Sequence, residues 1–389
     1  MSGRRRLLAV LLLHSTLTQV ITFVLRPTSA YRAIEVGVSP AWLGALTASF
    51  AVVPLVLAVP SGQATDRFGE RRVMLAGAVL MTLSGVVFAG QWGGAAGLVV
   101  GSVVLGTGHL LSVVGQQAAV ANTAGPGRFD SAFGYYTFAA SLGQAIGPAL
   151  ITLLGGSAEL PDTRPIFLTA TALGAALLVT TAFLPMPAAA RAGAASSNSG
   201  MGSLLRLPGL LRALLVSCVV LAAVDITLVY LPALGTDRGL AAGSVGLLLT
   251  LRAVASMASR FFLGRLVAFV GRRRLMIASV VLAAASMAAV AVPLPVVALA
   301  AMVVLMGLGL GVGQPLTMSW LAEVSPPGQR GRAMSLRLTG NRLGQVLIPS
   351  TVGLVAAGVG SAGVLAATAA ALAAVGVASR RLAVDGEAS

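Results

Sequence analysis

The sequence predicts an all-α membrane protein whose twelve transmembrane helices form two pseudo-symmetric six-helix bundles. Three observations support this fold class. Of the 389 residues, 57% are hydrophobic and only 10% are charged, whereas a soluble domain carries about 25% charged residues. Apolar runs of about 20 residues recur along the chain, and such a run crosses the hydrocarbon core of a bilayer as a helix. The second half of the chain also repeats glycines and arginines of the first half.

Twelve apolar segments are predicted to span the membrane, in two groups of six. Between the groups lies a stretch rich in Ala, Ser, Gly and Pro, which predicts a flexible linker over 186–207. We therefore expect an N-terminal six-helix bundle at 1–185 and a C-terminal six-helix bundle at 208–389. In chain order, the predicted spans are 7–33, 40–64, 74–91, 96–122, 130–153, 165–185, 208–233, 243–265, 275–292, 297–322, 332–356 and 361–379.

The positions of the arginines predict the orientation of these spans. All 26 basic residues are arginines, and most lie before span one or after spans two, four, six, eight, ten and twelve. The opposite loops hold Arg32, Arg164 and Arg238. Because basic loops stay on the cytoplasmic side, we expect a multi-pass protein of the cell (plasma or inner) membrane with both termini and the linker in the cytoplasm. The net charge of +15 follows from this topology, so membrane lipid is an expected partner and nucleic acid is not.

The sequence offers no motif for a cofactor, a metal or an enzymatic activity. The lone cysteine, Cys218, excludes a disulfide within the chain and a metal site built on paired cysteines. The glycines at 307, 309, 311 and 313 lie in an apolar run, without the strand and the Gly-Lys-Ser/Thr of a phosphate-binding loop. There is also no pair of carboxylates or nucleophile–base pair that would indicate catalysis. We therefore expect no cofactor, no metal and no catalytic residues.

Two segments of the first half recur in the second half. A shift of 202 residues places the glycines and the paired arginines of the charged segment 62–72 on those of 264–274. A shift of 201 residues places 142–148 on 343–349, and both have Leu-Gly-Gln followed by Pro four residues after the Gln. Parallel six-helix repeats with a site between them near the membrane midplane are a known transporter architecture.

These motifs resemble those of the major facilitator superfamily across essentially the whole chain. The segment Gly62-x-x-x-Asp66-Arg67-x-Gly69-x-Arg71-Arg72 is similar to the family's loop between helices two and three, except at Glu70, where a basic residue is usual. The resemblance implies that the loop acid docks against the N-terminus of helix eleven when the transporter is open to the outside. The implied conformational gate consists of Gly62, Asp66, Arg67, Gly69, Arg71 and Arg72, with Arg332 or Arg337 as the cation beside the acid.

Helix five resembles the antiporter signature of the family's drug exporters. It carries Gly134, Gly143, Gly147 and Pro148 at similar spacing, while the usual glycine pair after the proline is missing. Helix four has Ser102 where family exporters often have an arginine. The partial helix-five signature implies export.

Charged residues within the spans are candidates for function, because a charge in the bilayer costs roughly 2.5–3.5 kcal/mol on insertion scales. We expect Arg26, Asp225 and Arg252 at similar depth in the outer half of helices one, seven and eight. Asp225 either titrates and exchanges partners during transport or forms a permanent structural ion pair.

Three further polar residues complete the predicted substrate and proton pathway. Arg342, near the midplane, either holds an anionic substrate or pairs with a helix carbonyl or a lipid phosphate. Gln144 and Gln345 are expected either to line the cavity or to bridge helices.

The sequence is interpreted as a monomeric secondary active transporter that exports a small organic molecule by alternating access, coupled to protons. One alternative is an uptake symporter or facilitator for a sugar or metabolite. The other is a membrane sensor or lipid-handling protein that has this fold and does not transport.

Overall fold

The computed structural model describes residues 3–37, 40–125, 127–154, 161–184, 210–240, 242–326, 328–356 and 360–379. Within these ranges the chain forms thirteen helices joined by short connections. The helices are α1 Gly3–Glu35, α2 Pro40–Phe68, α3 Glu70–Gly90, α4 Gly94–Thr123, α5 Phe129–Leu154, α6 Thr163–Ala182, α7 Leu210–Asp237, α8 Ala242–Phe261, α9 Leu263–Val270, α10 Arg272–Ala291, α11 Val296–Val324, α12 Arg330–Ala356 and α13 Gly360–Ser379.

The all-α, twelve-span architecture predicted from the sequence is confirmed, with one correction. In the described residues, seven helices are long and apolar enough to cross a membrane, and the bent pair α8 and α9 makes an eighth. The sequence predicted one continuous span at 243–265, but the two helices meet at an angle of 64°. The bend occurs at Phe262, whose φ of −89° and ψ of 6° lie outside the α-helical region.

The chain divides into two compact units. The first contains Met1–Ala124, Ala139–Asn198 and Ser325–Leu336, and the second contains Gly125–Phe138, Ser199–Val324 and Arg337–Ser389. The start of α12 thus belongs to the first unit, and the start of α5 belongs to the second. The predicted linker, 186–207, lies outside the described residues, so the boundaries at 185 and 208 stay a prediction.

Glycines allow close packing of helices in both units. A Cβ atom at Gly108 in α4 would lie 2.8 Å from the carbonyl oxygen of Gly77 in α3. A Cβ atom at Gly309 in α11 would lie 2.6 Å from the carbonyl oxygen of Ser279 in α10. Gly309 and Ser279 are the repeat counterparts of Gly108 and Gly77, so both units pack the same helix pair in the same way. Such contacts stabilise helix pairs in lipid, where burial of apolar surface contributes little.

The repeat is also visible in the backbone before α3 and α10. Gly69 has φ 88° and ψ 152°, and Gly271 has φ 83° and ψ 146°. The Gly69 amide donates to the carbonyl oxygen of Thr65 at 2.9 Å, and the Gly271 amide donates to that of Val267 at 2.8 Å. Only glycine adopts this backbone conformation readily, which explains why both copies of the motif have a glycine at this position.

We predict that Gly309→Ala destabilises the protein, whereas Gly340→Ala does not. The added methyl group at 309 meets backbone atoms, and overpacking of this kind costs about 1–3 kcal/mol. Among the described residues, the nearest atom to a Cβ at Gly340 is Cβ of Leu214, 4.0 Å away, so alanine gains helix propensity there, worth up to ~1 kcal/mol. Thermal unfolding of the purified protein measures both effects. An unchanged midpoint for Gly309→Ala would contradict the packing described here.

Candidate functional site

The carboxylate of Asp66, near the end of α2, binds the first turn of α12. Its Oδ1 accepts a hydrogen bond from the Gly331 amide at 2.7 Å, and its Oδ2 accepts one from the Arg332 amide at 3.1 Å. The Nε atom of Arg332 lies 3.6 Å from Oδ2. The first amides of a helix have no partner within the helix and carry partial positive charge. Asp66 therefore caps α12 from a different part of the chain, and all three residues belong to the first unit.

The docked Asp66 carboxylate is largely buried. The Asp66 side chain is 6% exposed and follows the predicted span 40–64. Burial raises the pKa of Asp66 to about 6, while the two amide hydrogen bonds and the charge of Arg332 oppose the rise. The cost of burial outweighs these interactions, so the Asp66 carboxylate takes up a proton more readily here than in water.

Two glycines bring the end of α2 and the start of α12 close enough for this contact. A Cβ atom at Gly62 would lie 2.6 Å from the carbonyl oxygen of Gly331. A Cβ atom at Gly331 would lie 2.6 Å from Oδ1 of Asp66 and 2.7 Å from the carbonyl oxygen of Gly62. A side chain at either position would separate the helices. Gly62 was among the predicted gate residues, but Gly331 was not.

The other predicted gate residues of segment 62–72 lie around the contact. The sequence predicted a loop here, but the segment is helical except at Gly69, which alone separates α2 from α3. Arg71 donates a hydrogen bond to the carbonyl oxygen of Ala182 at the end of α6. Arg67 and Arg72 are exposed. Helical structure continues to Phe68 because the single glycine suffices for the change of direction.

Arg337, the second cation proposed for Asp66, lies in a different network of the second unit. Its guanidinium donates to Oε1 of Gln314 at 2.7 Å and to Oγ of Ser217 at 3.3 Å. Ser217 donates to Oδ1 of Asn341 at 2.7 Å. Arg337 is 1% exposed. Arg332 is therefore the cation beside Asp66, and Arg337 joins α7, α11 and α12.

Glu70, which departs from the family pattern, takes part in a second contact with α12. It accepts a hydrogen bond from the side-chain amide of Asn122 at the end of α4. Arg330, the first residue of α12, donates to Oδ1 of Asn122 at 3.1 Å and to the carbonyl oxygen of Ala121 at 2.7 Å. The acid at position 70 thus binds, through an asparagine, a cation on the helix end that Asp66 caps.

The second unit has a counterpart of this cluster with the charges exchanged. Arg272 is the repeat counterpart of Glu70 and donates to the Asp130 carboxylate through Nε at 3.2 Å and Nη2 at 2.9 Å. It also bonds to Glu323, the repeat counterpart of Asn122. Ser319 donates to Asp130 as well. The start of α5 is thereby held to α10 and α11 by a bidentate ion pair.

This second cluster and the contacts of Arg330 were not predicted from the sequence. Two signals in the chain point to them. Asp130 is an acid in the first turn of a helix, and Arg272 repeats the position of an acid in the other half.

Two residues of the predicted pathway are linked by a series of side chains in the first unit. The guanidinium carbon of Arg26 lies 4.4 Å from the ring centroid of Phe50. The Phe50 ring is 5.6 Å from that of His109. Gln19 lies within 3.4 Å of His109 Nε2 and accepts a hydrogen bond from Gln144 at 3.4 Å. Arg26 and Gln144 are therefore the ends of one continuous series.

The remaining pathway residues belong to the second unit. Asp225 in α7 attracts Arg252 in α8 electrostatically. Arg252 is 6% exposed, and its buried Nε has no hydrogen-bond partner among the described residues. Arg342 in α12 is half-buried. Gln345 follows in the same helix, but its side chain lies outside the described part of the structure.

The antiporter-like residues of α5 are packing positions. A Cβ atom at Gly143 would lie 2.7 Å from the Cβ of Gln19 in α1, and one at Gly147 would also meet α1 at 2.7 Å. Gly134 belongs to the second unit, where a Cβ atom would lie 2.5 Å from a carbonyl oxygen of α8. Pro148 lies inside α5 and is exposed. No group of three or more metal-ligating side chains occurs among the described residues.

Comparisons with known proteins agree on the fold. Among curated proteins, none matches the chain. The solved structures that are similar include a human organic anion transporter (17% identity, TM-score 0.78, 97% of this chain and 99% of that one). They also include the Escherichia coli fucose:proton symporter (15% identity, TM-score 0.82, 96% of this chain and 97% of that one). A third is a bacterial homologue of the iron transporter ferroportin (16% identity, TM-score 0.79, 96% of this chain and 98% of that one). At these identities the likeness establishes the fold alone.

A comparison with protein-family models identifies the family of the chain. The model described as Major Facilitator Superfamily matches residues 8–243 and 213–387, which is nearly the whole chain. The chain therefore belongs to the Major Facilitator Superfamily of membrane transporters.

Proposed function

We propose that the protein is a secondary active transporter that exports a small organic molecule across the cell membrane by alternating access, coupled to protons. It works as a monomer with both termini in the cytoplasm. The observation that carries the proposal is the docking of Asp66 on the first amides of α12. By their titles, the proteins of similar fold are an organic anion transporter, a fucose:proton symporter and a homologue of an iron transporter, so the fold does not select the substrate.

The free energy expected for the Asp66 contact suits a gate that opens and closes reversibly. A carboxylate at a helix N-terminus contributes roughly 0.3–1 kcal/mol when exposed and up to ~2 kcal/mol when partly buried. A difference of this size changes the ratio of two conformations by several-fold to tens-fold without unfolding either. Release of the carboxylate would free the start of α12, and docking would hold it again.

Proton coupling is assigned to Asp225. It is an acid within a span, it is attracted by Arg252, and intramembrane carboxylates of this kind serve as proton relays in transporters. Movement of α7 relative to α8 would change the distance between the two charges and with it the affinity of Asp225 for a proton. The export direction is supported by the helix-five glycines that resemble the antiporter signature.

We predict that Asp66→Asn weakens the gate and slows transport. An asparagine side chain has one acceptor oxygen, so it can accept only one of the two amide hydrogen bonds, and its own amide group faces the second donor. The expected loss is about 0.3–2 kcal/mol of docking free energy. Spin labels at Gln63 and Pro326, which are exposed, in a Cys218→Ser background should report a longer average distance.

The matched control for this gate variant is Asp162→Asn, which removes an acid from the loop before α6. It should leave both the label distance and the transport rate unchanged. A distance distribution for Asp66→Asn that equals that of the parent would show that the contact is not the gate.

We predict that Asp225→Asn abolishes proton-driven accumulation but retains exchange of substrate across the membrane. The amide cannot carry a proton between the two sides, while the substrate site remains. The measurement is uptake into inverted membrane vesicles, in which an exporter accumulates substrate, with and without an imposed pH gradient. Asp237→Asn, at the exposed end of the same helix, is the control. Accumulation that still follows the pH gradient would make Asp225 a structural residue, and accumulation only in right-side-out vesicles would contradict export.

A further inference from the structure

We infer that a cavity at the bend between α8 and α9 binds an acyl chain of an anionic phospholipid, whose phosphate is held by Arg265 and Arg274. The cavity lies within the second unit, between α8, α9, α10 and α11, and has a volume of about 380 Å³. This volume falls within the range of small-molecule sites, roughly 300–1,000 Å³. The inference concerns the lipid-facing side of the protein and does not depend on what the protein transports.

The lining of the cavity suits a hydrocarbon chain. It contains no charged side chain, and its only hydroxyl groups among the described residues are those of Ser259 and Ser279. Each serine donates its hydrogen to a carbonyl oxygen of its own helix, Ser259 to Ser256 at 3.0 Å and Ser279 to Met276 at 2.9 Å. An occupant therefore finds apolar surface and no donor group, so a hydrocarbon chain fits better than a polar group.

The cavity opens toward lipid. Phe262 and Ala278 line it, and both are exposed. The helix α10 is long and apolar enough to cross the membrane, and its exposed residues beyond the first turn are all apolar. They are Ala278, Val281, Ala285 and Ala288. An exposed apolar face on a membrane-spanning helix contacts acyl chains, because lipid tails are as apolar as these side chains.

Two exposed arginines lie at one end of the cavity, one on each wall. Arg274 lies one turn before Ala278 on α10. The Cζ atom of Arg265 in α9 lies 5.7 Å from the ring centroid of Phe262. Among the ion pairs of the described residues, none includes either arginine. The positions of the arginines along the chain predict that this end is cytoplasmic, where anionic lipids attract basic residues.

The exposed face of α9 fits the boundary between headgroups and acyl chains. Arg265, Ala268 and Phe269 share this face, because residues three and four apart are neighbours on a helix. Phe269 is 91% exposed. Aromatic rings at the ends of spans lie at headgroup level, and basic residues beside them attract anionic lipid. A lipid therefore satisfies both the ring of Phe269 and the charge of Arg265, whereas water satisfies only the charge.

The repeat shows that the second half has different chemistry at this position. A shift of 202 residues places Asp66 and Arg67 on Ala268 and Phe269. Asp66 accepts two hydrogen bonds from the start of α12, but the side chain of Ala268 can accept none. The second copy of the segment has thus lost the polar pair that forms a docking contact and has gained exposed apolar surface. This change favours a lipid as the partner of α9.

The test is native mass spectrometry of the purified full-length protein in detergent micelles. Phosphatidylglycerol is compared with phosphatidylcholine of identical acyl chains, and inorganic phosphate is added as a competitor that lacks acyl chains. The first variant is Arg265→Gln/Arg274→Gln, in which position 265 receives the residue of its repeat counterpart, Gln63. The control, Arg128→Gln/Arg164→Gln, removes the same charge from two exposed positions away from the cavity.

A second variant tests the place of the acyl chain without a change of charge. Ala278→Phe puts a large side chain at the open side of the cavity. Its matched control is Ala76→Phe, which makes the same change at the exposed repeat counterpart in α3.

The parent and both controls should bind phosphatidylglycerol saturably, about tenfold or more tightly than phosphatidylcholine, because two arginines attract the anionic headgroup. The double arginine variant should lose this preference, and Ala278→Phe should bind both lipids more weakly. If Ala278→Phe does not give a folded protein, the arginine variant decides, since both of its positions are exposed.

Four results would overturn the proposal. The first two are equal binding of the two lipids by the parent and an unchanged preference in the double arginine variant. Undiminished binding by a folded Ala278→Phe protein would place the lipid outside the cavity. Displacement of the lipid by an equal concentration of inorganic phosphate would show that the arginines bind a free anion instead of a lipid.

Discussion

The structure of both units depends on how helix ends from distant parts of the chain are held together. In the first unit a single carboxylate, that of Asp66, accepts hydrogen bonds from amides that lie 265 and 266 residues further along the chain. No backbone partner is available to those amides within their own helix. The geometry that permits the contact comes from Gly62 and Gly331, whose missing side chains let the two backbones approach. The contact between the end of α2 and the start of α12 therefore combines close backbone packing, an ion pair and two hydrogen bonds.

The duplicated halves use the same backbone framework but different chemistry at these helix ends. Gly69 and Gly271 share one backbone conformation, and the α3–α4 pair packs as the α10–α11 pair does. Yet the acid Glu70 corresponds to the cation Arg272. In the first unit the acids are on α2 and α3 and the cation is on α12. In the second unit the cation is on α10 and an acid, Asp130, is at the start of α5.

This exchange of charge gives the two clusters different strengths. A bidentate arginine–carboxylate pair is stronger and more directional than a carboxylate that binds two neutral amides. The pair formed by Arg272 and Asp130 is also supported by Ser319. The Asp66 contact has a carboxylate whose burial outweighs its hydrogen bonds. Of the two clusters, the one at Asp66 is the weaker, which agrees with its proposed role as the contact that opens.

The sequence predicted the fold well because the fold is determined by features with a strong one-dimensional signal. Long apolar runs predict spans, and a fixed shift reveals the repeat. The orientation predicted from the arginine positions stays a prediction. The predicted site was less complete. Asp66, Gly62 and Arg332 were found because their motif is contiguous or lies at a helix start. The bend at Phe262 was missed because apolar residues continue on both sides of it.

Residues that act through distant partners could not be predicted in the same way. The choice between Arg332 and Arg337 depends on which side of α12 faces Asp66, and their separation in sequence does not determine that without the packing of neighbouring helices. Asp130 and Glu323 lie far from Arg272 along the chain, so only the folded structure shows that they share a guanidinium.

The reversible docking of Asp66 is tested most directly by hydrogen exchange at the amides of Gly331 and Arg332 in the unmodified protein. These amides donate to the Asp66 carboxylate, and in the proposed transport cycle this contact breaks. They should therefore exchange faster than amides in the middle of α12, and faster again when a pH gradient drives turnover. Protection equal to that of the helix interior, unchanged by the gradient, would show that the contact is permanent and that the gate lies elsewhere.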